Sequence, residues 1–86
     1  MKDLVWILKA LANNRRLAIL RYLKKESEAS VGDIAEEIGL SFKATSKHLG
    51  ILYSVDILDK EQRSSLMFYR LVSQQKPPAR RIIDLL

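Results

Sequence analysis

The 86-residue sequence contains no cysteine, which excludes disulfides, thiolate metal ligands and cysteine nucleophiles together. It has one histidine, so no cluster of imidazoles can hold a metal ion either. Glycine and proline are scarce, at three and two residues, and no tract is repetitive or of low complexity. No apolar run approaches the ~18 residues that cross a bilayer. The apolar stretch 4–11 is short, is broken by Lys9, and lacks the basic leader and small-residue cleavage site of a signal peptide. There are no paired carboxylates in a recognisable site, no glycine-rich phosphate loop and no Ser-His-Asp arrangement. These absences lead us to expect a soluble, cytoplasmic chain with no membrane partner, cofactor, metal or enzymatic step.

What remains is one folded domain. At 48% hydrophobic and 29% charged, the composition is that of a globular protein, and 86 residues allow one core. The net charge of +5 favours a polyanionic partner, and its distribution says more than its size. Five acids and no base lie between Glu26 and Glu37. Lys43 and Lys47 follow with no acid nearby. Lys60, Arg63 and Arg70 surround a predicted hairpin, and Lys76, Arg80 and Arg81 lie near the end.

The spacing of Leu4, Ile7, Leu8 and Leu11 predicts a first helix over 3–12. Asn13 and Asn14 then offer a cap for a second over 15–25, with Leu17, Ile19, Leu20 and Leu23 inward. Residues 26–29 read as a polar connection. Ser30 caps a helix over 31–38, with Asp33 as the acidic partner of a capping box, and Gly39 stops it. Ser41 caps the next helix, which runs to about Tyr53. Helix, short glycine-containing turn and helix in succession form a helix-turn-helix. After it come a strand from 57 to 61, a polar turn at 62–65 and an alternating strand at 66–72. Pro77 and Pro78 can open a last helix. The predicted order is α-α-α-α-β-β-α: mainly α, with a small β-hairpin.

Within the helix-turn-helix, Ile34, Ala35 and Ile38 should meet Thr45, Leu49 and Leu52. Lys43, Ser46, Lys47 and Gly50 would then point away. Small, hydrogen-bonding and basic side chains on an exposed N-terminal helix face suit the major groove of double-stranded DNA. Lysine can reach a guanine edge or a phosphate, Ser46 either, and Ala44 a thymine methyl. The helix start at Ser41 adds backbone N–H groups that face phosphate favourably. Phe42 either folds back on the core, the placement favoured, or stacks near the DNA. Arg15 and Arg16 are a candidate phosphate clamp, or are solvated or paired with Glu36 or Glu37.

From about residue 8 to residue 71 the sequence resembles the ArsR-type family of winged helix-turn-helix transcriptional regulators. Residues 8–23, LKALANNRRLAILRYL, are similar to the family's opening pattern. Ser46, Lys47, His48 and Leu49 stand where its recognition helix has SRHL or SQHL, and residues 68–71, FYRL, match the end of its second wing strand. The resemblance implies a winged helix-turn-helix fold over 1–86 and a homodimeric, sequence-specific DNA reader, here expected to be a repressor. Without cysteine and with one histidine, it resembles a member that does not sense metals. The DNA-contacting residues would be Ser41, Lys43, Ala44, Ser46, Lys47, His48, Arg63 and Ser64, with Arg63 at the wing tip reaching the minor groove or backbone and His48 in support. The first and last helices, 3–12 and 78–86, would form the dimer through Leu4, Val5, Trp6, Leu8, Ile82, Ile83 and Leu86. Asp56 stands where the family often has glycine, and the wing tip also lacks glycine. Any small-molecule effector is unnamed by the sequence. The competing reading is a winged-helix module for protein contact or for nucleic-acid machinery without sequence-specific readout.

Overall fold

In a computed structural model that describes residues 2–86, the chain forms α1 (Lys2–Leu11), α2 (Asn14–Glu26), β1 (Glu28–Ser30), α3 (Val31–Ile38), α4 (Phe42–Ser54), β2 (Leu58–Arg63), β3 (Leu66–Leu71) and α5 (Pro77–Leu85). The helix boundaries follow local chemistry. Asn13 accepts from the Arg16 N–H at the start of α2 through its side chain, and Ser30 and Ser41 do the same for Asp33 and Ala44 at α3 and α4. Gly39 ends α3 in the left-handed region at φ 69°, where a side chain would be strained. Asp56 takes φ 63° just past α4, the conformation expected for a residue standing in for glycine.

The stretch expected to be a polar connection contains a strand. β1 pairs antiparallel with β3, placing Glu28 opposite Arg70, Ala29 opposite Tyr69 and Ser30 opposite Phe68. The sheet therefore has three strands in the order β1-β3-β2, and the winged helix-turn-helix order becomes α-α-β-α-α-β-β-α. The hairpin is also tighter than expected. β2 continues through Arg63, which pairs with Leu66, so the turn is residues 64–65 alone. Ser64 adopts φ 57° there, the first central position where two-residue hairpins of type II′ take glycine.

The core joins every layer. Ile19, Leu20 and Leu23 of α2 meet Ile34 of α3, Leu49 and Leu52 of α4, and Ile57 and Leu58 at the start of the hairpin. Each is almost wholly removed from water, and each such side chain contributes about 2 kcal/mol relative to exposure. Ile7, Ala10 and Leu11 of α1 and Ala79 and Ile83 of α5 extend this core. Gln75 ties the linker to the base of the hairpin, its Nε2 donating to the Ile57 and Val72 carbonyls at 2.9 and 2.8 Å.

Candidate nucleic-acid interface

The helix-turn-helix is fixed as its apolar spacing requires. Thr45, Leu49 and Leu52 are buried along one side of α4, and Ile34 and Ala35 along the facing side of α3. Ser41, Lys43, Lys47 and Gly50 are exposed, and Ser46, Ala44 and His48 are half-buried on the flanks. A side chain added at Gly50 would meet no atom within 4 Å, so the outer face is open there. Among the described residues neither Lys43 nor Lys47 is ion-paired. Both ammonium groups are free to meet an anion.

Phe42 does not fold back on the core. It is 64% exposed in the first turn of α4. With Ser41 as the cap, position 42 is the first helical residue, and the inward stripe begins only at Thr45. Phe42, Ser46 and Gly50, at successive i, i+4 positions, thus run along one outer ridge that tapers from a ring to a hydrogen.

Among the described residues neither of the two arginines opening α2 pairs with Glu36 or Glu37; Arg15 is exposed to solvent and Arg16 is half-buried. Arg15 donates to the Ile38 carbonyl at 3.2 Å, satisfying the C-terminal end of α3. Arg16 donates through Nε to the Ala10 carbonyl at 2.6 Å and through Nη2 to the Lys9 carbonyl at 3.2 Å, closing the end of α1. Its Nη1 lies 3.1 Å from Nδ1 of His48. Because the guanidinium can only donate, Nδ1 accepts and His48 carries its proton on Nε2. Burial, and then the positive charges of Arg16, Arg15 and Lys47, hold the His48 pKa below its usual value and favour this neutral form. His48 therefore couples the recognition helix to α1 through one arginine.

The wing differs from expectation. Arg63 is the last residue of β2, not a free tip. Its guanidinium pairs with Glu28 on β1, reaching Oε1 at 2.7 Å, and lies 3.7 Å from Glu61 and 4.1 Å from the centre of the Phe68 ring. Arg70 is likewise bound to Asp59 and Glu61, each at 3.3 Å. Three acids thus hold two arginines across the outer face of the sheet and leave that cluster with one net negative charge. Ser64, in the turn itself, is exposed. The partner that sequence reasoning missed, Glu28, lies on the unexpected strand.

Leu4, Val5 and Leu8 of α1 are exposed, and Leu85 of α5 is 82% exposed. Ile82 and Leu86 are partly buried against the core. Ile83 is 6% exposed within this single chain, so it closes the monomer core and is unavailable to a partner. Trp6 is half exposed but leaves α1 on the other flank of its buried stripe from Leu4 and Leu8, at ~100° per residue.

A family model for the bacterial regulatory protein arsR family matches residues 13–60. The transcriptional activator HlyU of Vibrio cholerae is 38% identical over 71 residues, covering 83% of this chain and 65% of HlyU, so the chain spans somewhat under two thirds of that relative. The structure of reduced HlyU superposes with a TM-score of 0.81 at 34% identity, over 99% of this chain and 85% of that one. The antimony-specific transcriptional repressor AntR gives 0.81 at 30% identity, covering 98% and 73%. A homodimeric winged helix-turn-helix DNA-binding domain from Mycobacterium bovis gives 0.82 at 28% identity, covering 98% and 74%. With the arsR model spanning more than half of its residues and the same winged helix-turn-helix in its neighbours, this chain belongs to the arsR family of bacterial regulatory proteins.

Proposed function

We propose that this chain is a cytoplasmic, homodimeric regulator of transcription that binds a palindromic double-stranded DNA site and acts as a repressor, without catalysis or a bound cofactor. The observation that carries the reading is the outer face of α4. Unpaired Lys43 and Lys47 flank Ser46 on a helix whose opposite side is locked into the core by Thr45, Leu49 and Leu52. Such a face presents rigidly held donors to base edges and phosphates, with the capped helix start at Ser41 adding N–H groups. Ala44 is placed for a thymine methyl, and His48 acts behind the face as support.

Dimerisation uses the exposed apolar surface of α1 and α5, now drawn around Leu4, Val5, Leu8, Ile82, Leu85 and Leu86. Exposed apolar side chains on two helices that pack against each other favour an interface there. Two copies related by a two-fold axis would place two recognition helices about one DNA turn apart, ~34 Å. The turn at 64–65 would lie beside the flanking groove or backbone. Repression needs nothing further, since a dimer seated on a promoter occludes it.

Selection of duplexes from random DNA, followed by titration against salt, tests the reading. The expected result is a palindrome bound ~10³-fold or more tightly than random sequence. Equal affinity for all sequences would leave only a general nucleic-acid or protein-binding module. A reporter behind the selected palindrome should fall when the protein is expressed, and a rise would make it an activator.

A further inference from the structure

Trp6 is the only tryptophan in the chain, and it overhangs the groove between α1 and α4. One cavity beneath it, of about 300 Å³, is walled by Trp6, Ala10, Ile51 and Val55, and among the described residues its charged lining is Lys9 and Arg16. A second, of about 430 Å³, shares Trp6 and Val55 and continues toward Asp3, Asp56 and Lys76. The smaller compartment has the size and apolar lining of a small-ligand site. The Lys9 ammonium stands 5.2 Å from the centre of the Trp6 ring, so a positive charge lies over the aromatic wall. Among the described residues no acid lines this compartment.

Arg16 joins this groove to the recognition helix. It lines the cavity and holds Nδ1 of His48 with Nη1, while its Nε and Nη2 each give one N–H to the Ala10 and Lys9 carbonyls. A carboxylate is a stronger acceptor for guanidinium than a neutral imidazole, and it can take two donors at once. We propose that the groove beneath Trp6 binds a small aromatic carboxylate, its ring against Trp6, Ile51 and Val55 and its carboxylate on Arg16 and Lys9, and that this draws Arg16 from His48 and weakens DNA binding. Only the last clause rests on the DNA-reading assignment.

The site is tested without DNA by titrating phenylacetate into the protein and following Trp6 emission and heat release. Neutral 2-phenylethanol and cationic 2-phenylethylamine serve as parallel probes with the same ring. Phenylacetate should saturate, the alcohol should bind about fivefold more weakly, and the amine should give no saturable signal. Lys9→Glu, an exposed change, should weaken phenylacetate by about the same factor while leaving the circular dichroism spectrum unchanged. Absence of saturation, or equal binding of the amine, overturns the site. So does Trp6 emission that depends on protein concentration, because a second copy would then cover the groove. In the regulatory arm, phenylacetate should lower affinity for the selected palindrome several-fold in the parent chain and have no effect in His48→Ala. A palindrome affinity unmoved by saturating phenylacetate refutes the coupling. Should no palindrome be selected, the regulatory clause falls while the titration still decides the site.

Discussion

The recognition helix and the wing carry similar numbers of basic residues, yet they present opposite electrostatic faces. On α4, Lys43 and Lys47 stand unpaired over a buried stripe. On the sheet, Arg63 and Arg70 are bound to Glu28, Asp59 and Glu61. Charge counted along a chain therefore says little about charge offered to a partner. An arginine already satisfied by a carboxylate must exchange one ion pair for another on meeting phosphate, whereas a solvated lysine gives up only water and counterions.

The contrast makes a direct prediction for affinity. Lys47→Ala should weaken binding to the selected palindrome by about tenfold and reduce the salt slope by about one, while Arg63→Ala should change both far less. Equal losses in a salt titration would erase the distinction between the two surfaces. A change beneath the helix separates its holding face from its reading face. The Thr45 hydroxyl is fully buried and has no hydrogen-bond partner among the described residues, so Thr45→Val should raise stability by about 1 kcal/mol in a urea melt and leave DNA affinity unchanged. Glu28→Gln should free Arg63 for phosphate and tighten DNA binding about threefold at low salt, with the gain vanishing as salt is added.

The smallest expected effect concerns pH. His48 has a lowered pKa because it is partly desolvated and faces Arg16, Arg15 and Lys47. Below its ordinary value of 6.5 the unfolded chain binds a proton that the folded chain resists. The stability is therefore complete above that pH and is lost as pH falls through 6.5 toward the lowered value. Urea melts across this window should show the slope, and His48→Gln, whose side-chain oxygen can still accept from Arg16, should flatten it.

Most of the recognition unit was legible because its signals are local. Ser30, Gly39 and Ser41 punctuate α3 and α4 within a few residues of where they act, and Thr45, Leu49 and Leu52 fall inward by helical period alone. The wing was less legible because its determinants are distant. Glu28, Ala29 and Ser30 are three residues without an alternating pattern, and they become a strand only by meeting β3 some forty positions later. Arg63 looked free for the same reason, since its partner lies 35 residues away. Ile83 looked available to a dimer because the period of α5 marks an apolar side without saying whether α1 and α2 or a second chain covers it. For Arg15 and Arg16 the sequence offers phosphate, solvent or the Glu36 and Glu37 carboxylates, whereas both meet backbone carbonyls at helix ends, which no residue type advertises.

The short strand β1 has a consequence for how the molecule assembles. Its pairing with β3 closes a loop that holds the whole helix-turn-helix and β2 between Glu28 and Arg70. The entropy of that closure must be met before the recognition helix gains its full support, so α3 and α4 do not form an autonomous unit. Folding of α4 is thereby tied to completion of the sheet. A peptide cut to residues 31–54 would lose the closing pair and, with it, the means of keeping α4 in place.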